Sequence, residues 1–284
     1  MGINKMVTSS ALRIFSSAKV NLILKVLGKR PDGYHEIFTL MQRVSLFDTL
    51  YINIPPEGDI KITTNHPQLP TDEENLIYKA AKLFFKSIDI LPRARIHLVK
   101  RIPIAAGLGG GSSNAASTLL GLNTLLKHPF SLDDLLKMAV LLGSDVPFFL
   151  LKKPAVAKGK GEIVSPLSFS LPFWYIIISP PIHISTAGVY KQVRLTRKEN
   201  QIKISCLQDV LEHLQNDLEK VVIEKVEEIS EAKEILKRAG ARYILMSGSG
   251  ASVFALCQSK REALEIKRAL ILPEKWRSFL VKGL

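Results

Sequence analysis

Pro103-Ile104-Ala105-Ala106-Gly107-Leu108-Gly109-Gly110-Gly111-Ser112-Ser113-Asn114-Ala115-Ala116 holds the richest glycine cluster of the chain. It follows a strand-like run at 94–102 and opens a helical pattern over about 112–127. Glycines lack Cβ atoms, so backbone N–H groups can close around an anion. A helix N-terminus adds unpaired donors and the positive end of its dipole. Ser112 and Ser113 supply hydroxyls where a phosphate or its Mg2+ would sit. A tight turn with glycines for close packing is the blander reading; three consecutive glycines followed by two serines at a helix start weigh against it. Residues 103–113 therefore read as a phosphate loop. A P-loop ATPase is excluded, because Ser112-Ser113-Asn114 stands where that loop needs Lys-Ser/Thr. A dinucleotide fingerprint would want a third glycine at Ser112 and an early βαβ unit, and neither is present. The His-Arg-Asp and Asp-Phe-Gly elements of protein kinases are missing too.

Working outward, strands are expected at 18–27, 37–45, 50–54 and 60–64, with a Pro-Gly turn at 29–33. A helix at 75–88 places Leu76, Ile77, Ala80, Ala81, Phe84 and Ile88 on one face. A further helix begins at the N-cap Ser131, with Asp133 and Asp134 in its first turn and Leu132, Leu135, Leu136, Ala139 and Val140 as its apolar face. A basic, glycine-containing stretch at 152–160 suggests a boundary, dividing the chain into 1–155 and 156–284. Beyond it come a strand (173–179), helices (207–222 and 227–239), strands (243–246 and 252–257), a helix (261–270) and a last strand (276–282). The irregular alternation with hairpin-like neighbours argues for α+β with antiparallel or mixed sheets, rather than a doubly wound parallel sheet. No internal repeat is visible.

The 284 residues are 46% hydrophobic and 23% charged, enough for a substantial core and unlike collagen, low-complexity or fibrous chains. A net charge of +13 favours an anionic partner: nucleic acid, membrane surface or phosphorylated metabolite. Aromatics make up 7% and do not interleave with basic clusters such as Arg93, Arg95, Lys100 and Arg101, which argues against a nucleic-acid platform. Cys206 and Cys257 read as reduced, partly buried thiols of a cytoplasmic protein. Lys5 and Arg13 precede no continuous apolar segment, so the start is no secretory signal. Gly2 lacks the myristoylation context, since Met6 stands where Ser or Thr is needed. No apolar run approaches the roughly 20 residues of a membrane span.

Two further segments join the glycine loop: Ser17-Ala18-Lys19-Val20-Asn21-Leu22 near the start, and Met246-Ser247-Gly248-Ser249-Gly250-Ala251-Ser252-Val253-Phe254 near the end. In this order and spacing the three motifs resemble the GHMP small-molecule kinases, which group galactokinase, homoserine kinase, mevalonate kinase and phosphomevalonate kinase. Lys29-Arg30-Pro31-Asp32-Gly33-Tyr34-His35-Glu36 and Gly143-Ser144-Asp145-Val146-Pro147-Phe148-Phe149 narrow the resemblance. They are similar to the branch that phosphorylates the 2-hydroxyl of a cytidylylated methylerythritol in the non-mevalonate isoprenoid pathway. Ala105 departs from the glycine found there in many relatives.

The resemblance implies a two-domain fold. An N-terminal ribosomal-protein-S5-like domain binds ATP and carries catalysis, a C-terminal ferredoxin-like α/β sandwich forms the substrate side, and the active site lies in the cleft between them. It implies ATP as phosphoryl donor, bound by Pro103 to Ser113, and Mg2+ with Ser113 as candidate ligand. Asp145 becomes the general base, where a helix cap is the commoner use of Asp. Lys19 becomes its partner, keeping the carboxylate ionised, where an exposed edge lysine is the commoner fate. Asn21 helps place the acceptor. Tyr34 and His35, taken to project from the turn, and Thr186 and Tyr190 from the second half, form the cytidine site. The other histidines show no ligand spacing. A monomer or weak homodimer is expected, acting on small molecules without nucleic acid or membrane. The alternatives are a homoserine- or mevalonate-type kinase and, from another class, a basic nucleic-acid binder.

Overall fold

A computed structural model describes residues 11–193 and 202–284; Gly2, Lys5 and Met6 lie outside them. The chain runs β1 (Leu12–Lys29), β2 (His35–Asn53), β3 (Ile60–Thr64), α1 (Leu76–Ser87), β4 (Ala94–Val99), α2 (Gly110–Leu125), α3 (Leu132–Leu142) and α4 (Val146–Leu150). It continues through β5 (Ala155–Lys158), β6 (Ile163–Pro166), β7 (Trp174–Ser179), α5 (Thr186–Tyr190), α6 (Leu207–Glu212), β8 (Gln215–Asn216) and α7 (Asp217–Ile223). Then follow α8 (Glu227–Arg238), β9 (Tyr243–Met246), β10 (Val253–Cys257), α9 (Lys260–Ala269) and β11 (Arg277–Lys282). Contacts group these into two units.

The first unit holds Phe47–Ile102 and Gly110–Leu151, together with residues 11–17. Here β4 lies parallel to β3 and antiparallel to the end of β2, with Thr49 opposite Val99. The strands expected at 37–45 and 50–54 are one strand, β2. Burial alternates from Arg43 through Asp48 without a break, and Pro55-Pro56 ends the run. α1 is capped by Asn75, whose side chain accepts from the Ile77 N–H, and buries Ile77, Ala80, Ala81, Phe84 and Phe85. α3 begins with a capping box between Ser131 and Asp134. Its buried face is narrower than expected, comprising Leu135, Met138 and Ala139, while Leu132 and Val140 are exposed.

The second unit is Ala18–Leu46, Pro103–Gly109 and Lys152–Leu284. β5 pairs antiparallel with β2 and β6, so the boundary-like stretch at 152–160 is itself a strand edge. β8 lies parallel to β1, with Ile23 opposite Gln215. A four-stranded antiparallel sheet, β11-β7-β10-β9, carries α8 and α9. Its β7 is apolar along its length, and Ile176, Ile178, Val253 and Ala255 share a core with Ile229, Leu236 and Ala263 from those helices. The single helix expected at 207–222 is broken into α6, β8 and α7. His213 ends α6 and Asn216 starts α7, its side chain accepting from the Leu218 N–H. Antiparallel and parallel pairs side by side make the fold α+β, as the alternation implied.

Candidate active site

In the second unit Pro103–Gly109, the first half of the glycine loop, meets Ala18–Leu22 and the third motif. Lys19 sits inside β1 and is 3% exposed, which removes the edge-lysine reading. Its Nζ donates to Asn21 Oδ1 at 2.5 Å, Asn21 Nδ2 donates to Thr39 Oγ1 at 2.8 Å, and the Thr39 hydroxyl donates to the Ile23 carbonyl at 2.7 Å. Residues two apart on a strand share a face, and the relay through Thr39 holds the Asn21 oxygen towards the ammonium. The Lys19 backbone N–H donates to Leu108 O at 3.0 Å, tying β1 to the glycine loop.

The loop is in turn locked to the third motif. Ser252 N–H donates to Ala106 O at 3.1 Å, and the Ser247 hydroxyl donates to Gly107 O at 2.9 Å. Gly107 has φ +73°, and a Cβ there would stand 1.9 Å from the Ser247 carbonyl oxygen, so only glycine fits. A Cβ on Gly248 would lie 3.4 Å from both Lys19 Nζ and Asn21 Oδ1; the third motif lays bare backbone against the lysine. Asn216 fastens that backbone. Its Nδ2 donates to Met246 O and Gly248 O, both at 2.7 Å, while Glu219 accepts from the Met246 N–H at 2.7 Å. Ala105 keeps φ +51° without being glycine, a strained left-handed position on an exposed bend. Pro103 is half-buried beside it and Ile104 is exposed.

Of the residues expected around a cytosine, Tyr34 and His35 lie on the β1–β2 hairpin of the same unit and Tyr190 packs against it. Arg30 N–H donates to Tyr34 O at 2.8 Å, and the Arg30 side chain pairs with Asp32 and Glu36. Tyr34 is 55% exposed with Lys160 Nζ 4.7 Å from its ring centroid. His35, expected in the turn, is the first residue of β2. Its ring stacks on Tyr190 with centroids 5.3 Å apart, a spacing that leaves no third ring between them. Burial, helped by the Lys29 charge, pushes the His35 pKa below its ordinary value, favouring the neutral ring. The Thr186 hydroxyl is hydrogen-bonded to that of Ser249 at 2.8 Å, joining α5 to the third motif.

In the first unit, Gly110 and Gly111 already belong to α2, two residues before the expected start. Ser112 is half-buried, and Ser113 is buried with its oxygen accepting from the Ser16 hydroxyl at 2.8 Å. Asn114 Nδ2 donates to Ser16 Oγ at 2.9 Å and to Asp48 Oδ2 at 3.0 Å. Asp48, fully buried, also takes Lys100 Nζ at 2.8 Å and the N–H groups of Arg101 and Ile102 at 2.7 and 2.9 Å. Lys100 is therefore no member of a surface basic cluster. Asp145 occupies the N-cap position of α4, yet its side chain makes no capping hydrogen bond. The commoner use of such an aspartate is not the one made here.

Asp48, Ser16, Asn216 and Ser247 were not singled out from sequence. Asp48 had a signal, an acid inside the apolar alternation Leu46-Phe47-Asp48-Thr49-Leu50, which needs buried partners. Both cysteines are free: Cys206 is exposed, and Cys257 is buried, with its pKa pushed up to about 12 by burial and by Glu262. Among the described residues no cluster of three His, Cys, Asp or Glu could hold a metal ion, and no helix is long and apolar enough to cross a membrane.

Residues 75–153 match the model of the GHMP kinases N terminal domain, and 200–274 that of the GHMP kinases C terminal domain. A 4-diphosphocytidyl-2-C-methyl-D-erythritol kinase of Citrifermentans bemidjiense is 41% identical over 95% of this chain and 98% of its own length. A crystal structure of a 4-(cytidine 5'-diphospho)-2C-methyl-D-erythritol kinase superposes with a TM-score of 0.78 at 33% identity, covering 96% of this chain and all of that one. The homoserine kinase of Cytophaga hutchinsonii shares the fold, with a TM-score of 0.74 at 18% identity over 100% of this chain and 97% of that one. Matched along nearly its whole length, the chain belongs to the 4-diphosphocytidyl-2-C-methyl-D-erythritol kinase family of the GHMP kinases, which are ATP-dependent phosphotransferases.

Proposed function

We propose that the protein transfers the γ-phosphoryl group of ATP to the 2-hydroxyl of 4-diphosphocytidyl-2-C-methyl-D-erythritol, giving the 2-phosphate and ADP in the non-mevalonate isoprenoid pathway. The observation that carries this reading is the buried Lys19–Asn21 pair, against which the glycine loop and the Ser247–Ser252 backbone are packed. Asp145, its carboxylate not spent on capping, takes the proton of the acceptor hydroxyl as the oxygen–phosphorus bond forms and the bond to ADP breaks. Lys19 assists that base, and Asn21 orients the acceptor. Residues 103–113 supply backbone and hydroxyl donors to the phosphates, a task of positioning and charge stabilisation above all.

Magnesium bound to the ATP phosphates would neutralise the charge that develops during transfer. Such an ion would keep most of its waters and need few protein ligands. Ser113, with one lone pair engaged by Ser16, is the ligand we assign to it. Tyr34, His35, Thr186 and Tyr190 hold the cytidine end, and the neutral His35 ring offers a donor and an acceptor to a base edge. Along the chain, the same reading gives 1–155 to nucleotide and catalysis and 156–284 to the substrate side.

The test is ATP consumption with the cytidylylated methylerythritol, mevalonate and homoserine as separate acceptors. The first is expected to exceed the others by at least about 100-fold in kcat/KM, because a site built for a polar base rejects alcohols that lack it. Comparable turnover of either cytidine-free alcohol overturns the substrate assignment. Asp145→Asn is expected to lower kcat by roughly 1000-fold with the ATP KM little changed, and near-normal turnover removes Asp145 from the base role.

A further inference from the structure

We propose that Asp48 is a positioning residue for ATP, acting on the phosphate loop through its two ends. This rests on the reading of residues 103–113 as the site of the ATP phosphates. The loop departs from the end of β4 and returns at the start of α2, and one carboxylate grips both places. Oδ1 accepts the N–H groups of Arg101 and Ile102, the last residues before the loop; Oδ2 accepts Asn114 Nδ2, the fifth residue of the helix that follows it. Four donors converge on Asp48 when Lys100 is included, and the side chain is 0% exposed. A carboxylate so bound is a fixed acceptor, and hydrogen bonds to a charged group are about twice as strong as neutral ones.

The second effect is on direction. An asparagine amide can point either way round unless its neighbours decide. An ionised carboxylate only accepts, so Asp48 obliges Asn114 to present its nitrogen. The other hydrogen of that nitrogen goes to Ser16 Oγ, Ser16 is thereby left to donate, and its proton goes to Ser113 Oγ. With its oxygen already accepting from Ser16, Ser113 still has its own O–H proton to donate. The chain from Asp48 through Asn114 and Ser16 thus sets Ser113 as a donor towards anions. Lys100 belongs to the same arrangement. A Cβ on Gly110 would stand 3.0 Å from Lys100 Nζ, so an ammonium lies near the positive end of α2, where it is unfavourable unless compensated. Asp48 and the Ile102 carbonyl, 2.5 Å away, provide the compensation.

The experiment compares Asp48→Asn, Asn114→Leu, Ser113→Ala and Gly111→Val in the full-length enzyme, measuring KM for ATP and for the acceptor separately. Asparagine at 48 still offers an oxygen to the two backbone N–H groups but turns donors against Lys100 and Asn114. We expect the ATP KM to rise about tenfold with the acceptor KM within about twofold. Asn114→Leu, which cuts the helix-side grip and the link to Ser16 but leaves the bonds from Arg101 and Ile102, reports the same split if Asp48→Asn fails to fold. Because Asp48 acts through Ser113, the fold-changes of Asp48→Asn (or Asn114→Leu) and Ser113→Ala should combine to less than their product. A purely structural role would lower thermal stability, leave both KM values in place and give independent, multiplying effects; that result overturns the proposal. Gly111→Val separates the two readings. Its Cβ meets only Leu76, at 3.6 Å, so it obstructs the loop mouth without disturbing the packing beneath. If it leaves the ATP KM unchanged, the loop is not the phosphate site. If it raises that KM while Asp48→Asn and Asn114→Leu do not, the inference about Asp48 alone falls.

Discussion

The two halves of the glycine loop are held by opposite means. Pro103–Gly109 is held through main chain. Ala106, Gly107 and Leu108 each give their carbonyl to a donor from Ser252, Ser247 or Lys19, and Gly107 lies where no Cβ fits. Gly110–Asn114 is held through side chains, by a buried carboxylate, an ammonium, an amide and two hydroxyls. The first arrangement depends on the absence of atoms and carries no formal charge except near Lys19. The second depends on one ionised group and on the direction of its hydrogen bonds. A single motif in sequence is therefore two mechanical problems, and the glycines solve only one of them.

Substitutions can break the main-chain half in graded steps. Gly107→Ala is expected to do the most harm. It forces alanine to φ +73° and drives a methyl into the Ser247 carbonyl, costing about 3 kcal/mol. Denaturant unfolding should show the loss, with phosphoryl transfer abolished; an alanine variant of normal stability would mean the two backbones are not interlocked. Asn216→Ser comes next. Serine still caps α7 but gives up both donors to Met246 and Gly248, leaving carbonyls buried at a cost of about 2 kcal/mol. If thermal melting shows no change, the third motif does not depend on that clamp. The smallest effect should be favourable. Ala105→Gly relieves the left-handed alanine at φ +51°, partly offset by the extra freedom of glycine in the unfolded chain. A gain of about 0.5 kcal/mol, seen as a rise in Tm of about 1 °C, would sharpen the contrast by showing strain confined to the backbone-held half.

Much of this was legible beforehand. The order of the three motifs and the glycine-serine junction pointed to the site because they are local and depend on residue type at fixed spacing. Ser131 with Asp134, Asn75, and the strands at 60–64 and 243–246 were readable for the same reason. What escaped was tertiary. β2 reads as two strands until Asp48 is known to be satisfied in its middle, and its partner Asn114 lies 66 positions away. The helix expected at 207–222 keeps an apolar periodicity across its break, and only the use of Asn216 on Met246 and Gly248 explains why it stops. The short strands β5 and β6 have too few residues for a pattern. Of the residues proposed for the cytidine site, His35 and Tyr190 were related only through the family resemblance and by no local spacing, whereas the Gly33-Tyr34-His35-Glu36 run was conspicuous in itself.

The contact between Gly107 and Ser247 also has a consequence in time. The two residues are separated by 140 positions, almost half of the chain. A ribosome adding about 5–20 residues per second takes roughly 10–30 s to cover that distance. Throughout that interval the glycine run has no Ser247 or Ser252 to lie against, and Lys19 has no Gly248 beside it. The nascent chain therefore passes through a stage in which α1, α2 and β4 can assemble while the bend that follows β4 is unsupported. Functional maturity arrives late in synthesis, with the emergence of β9 and β10.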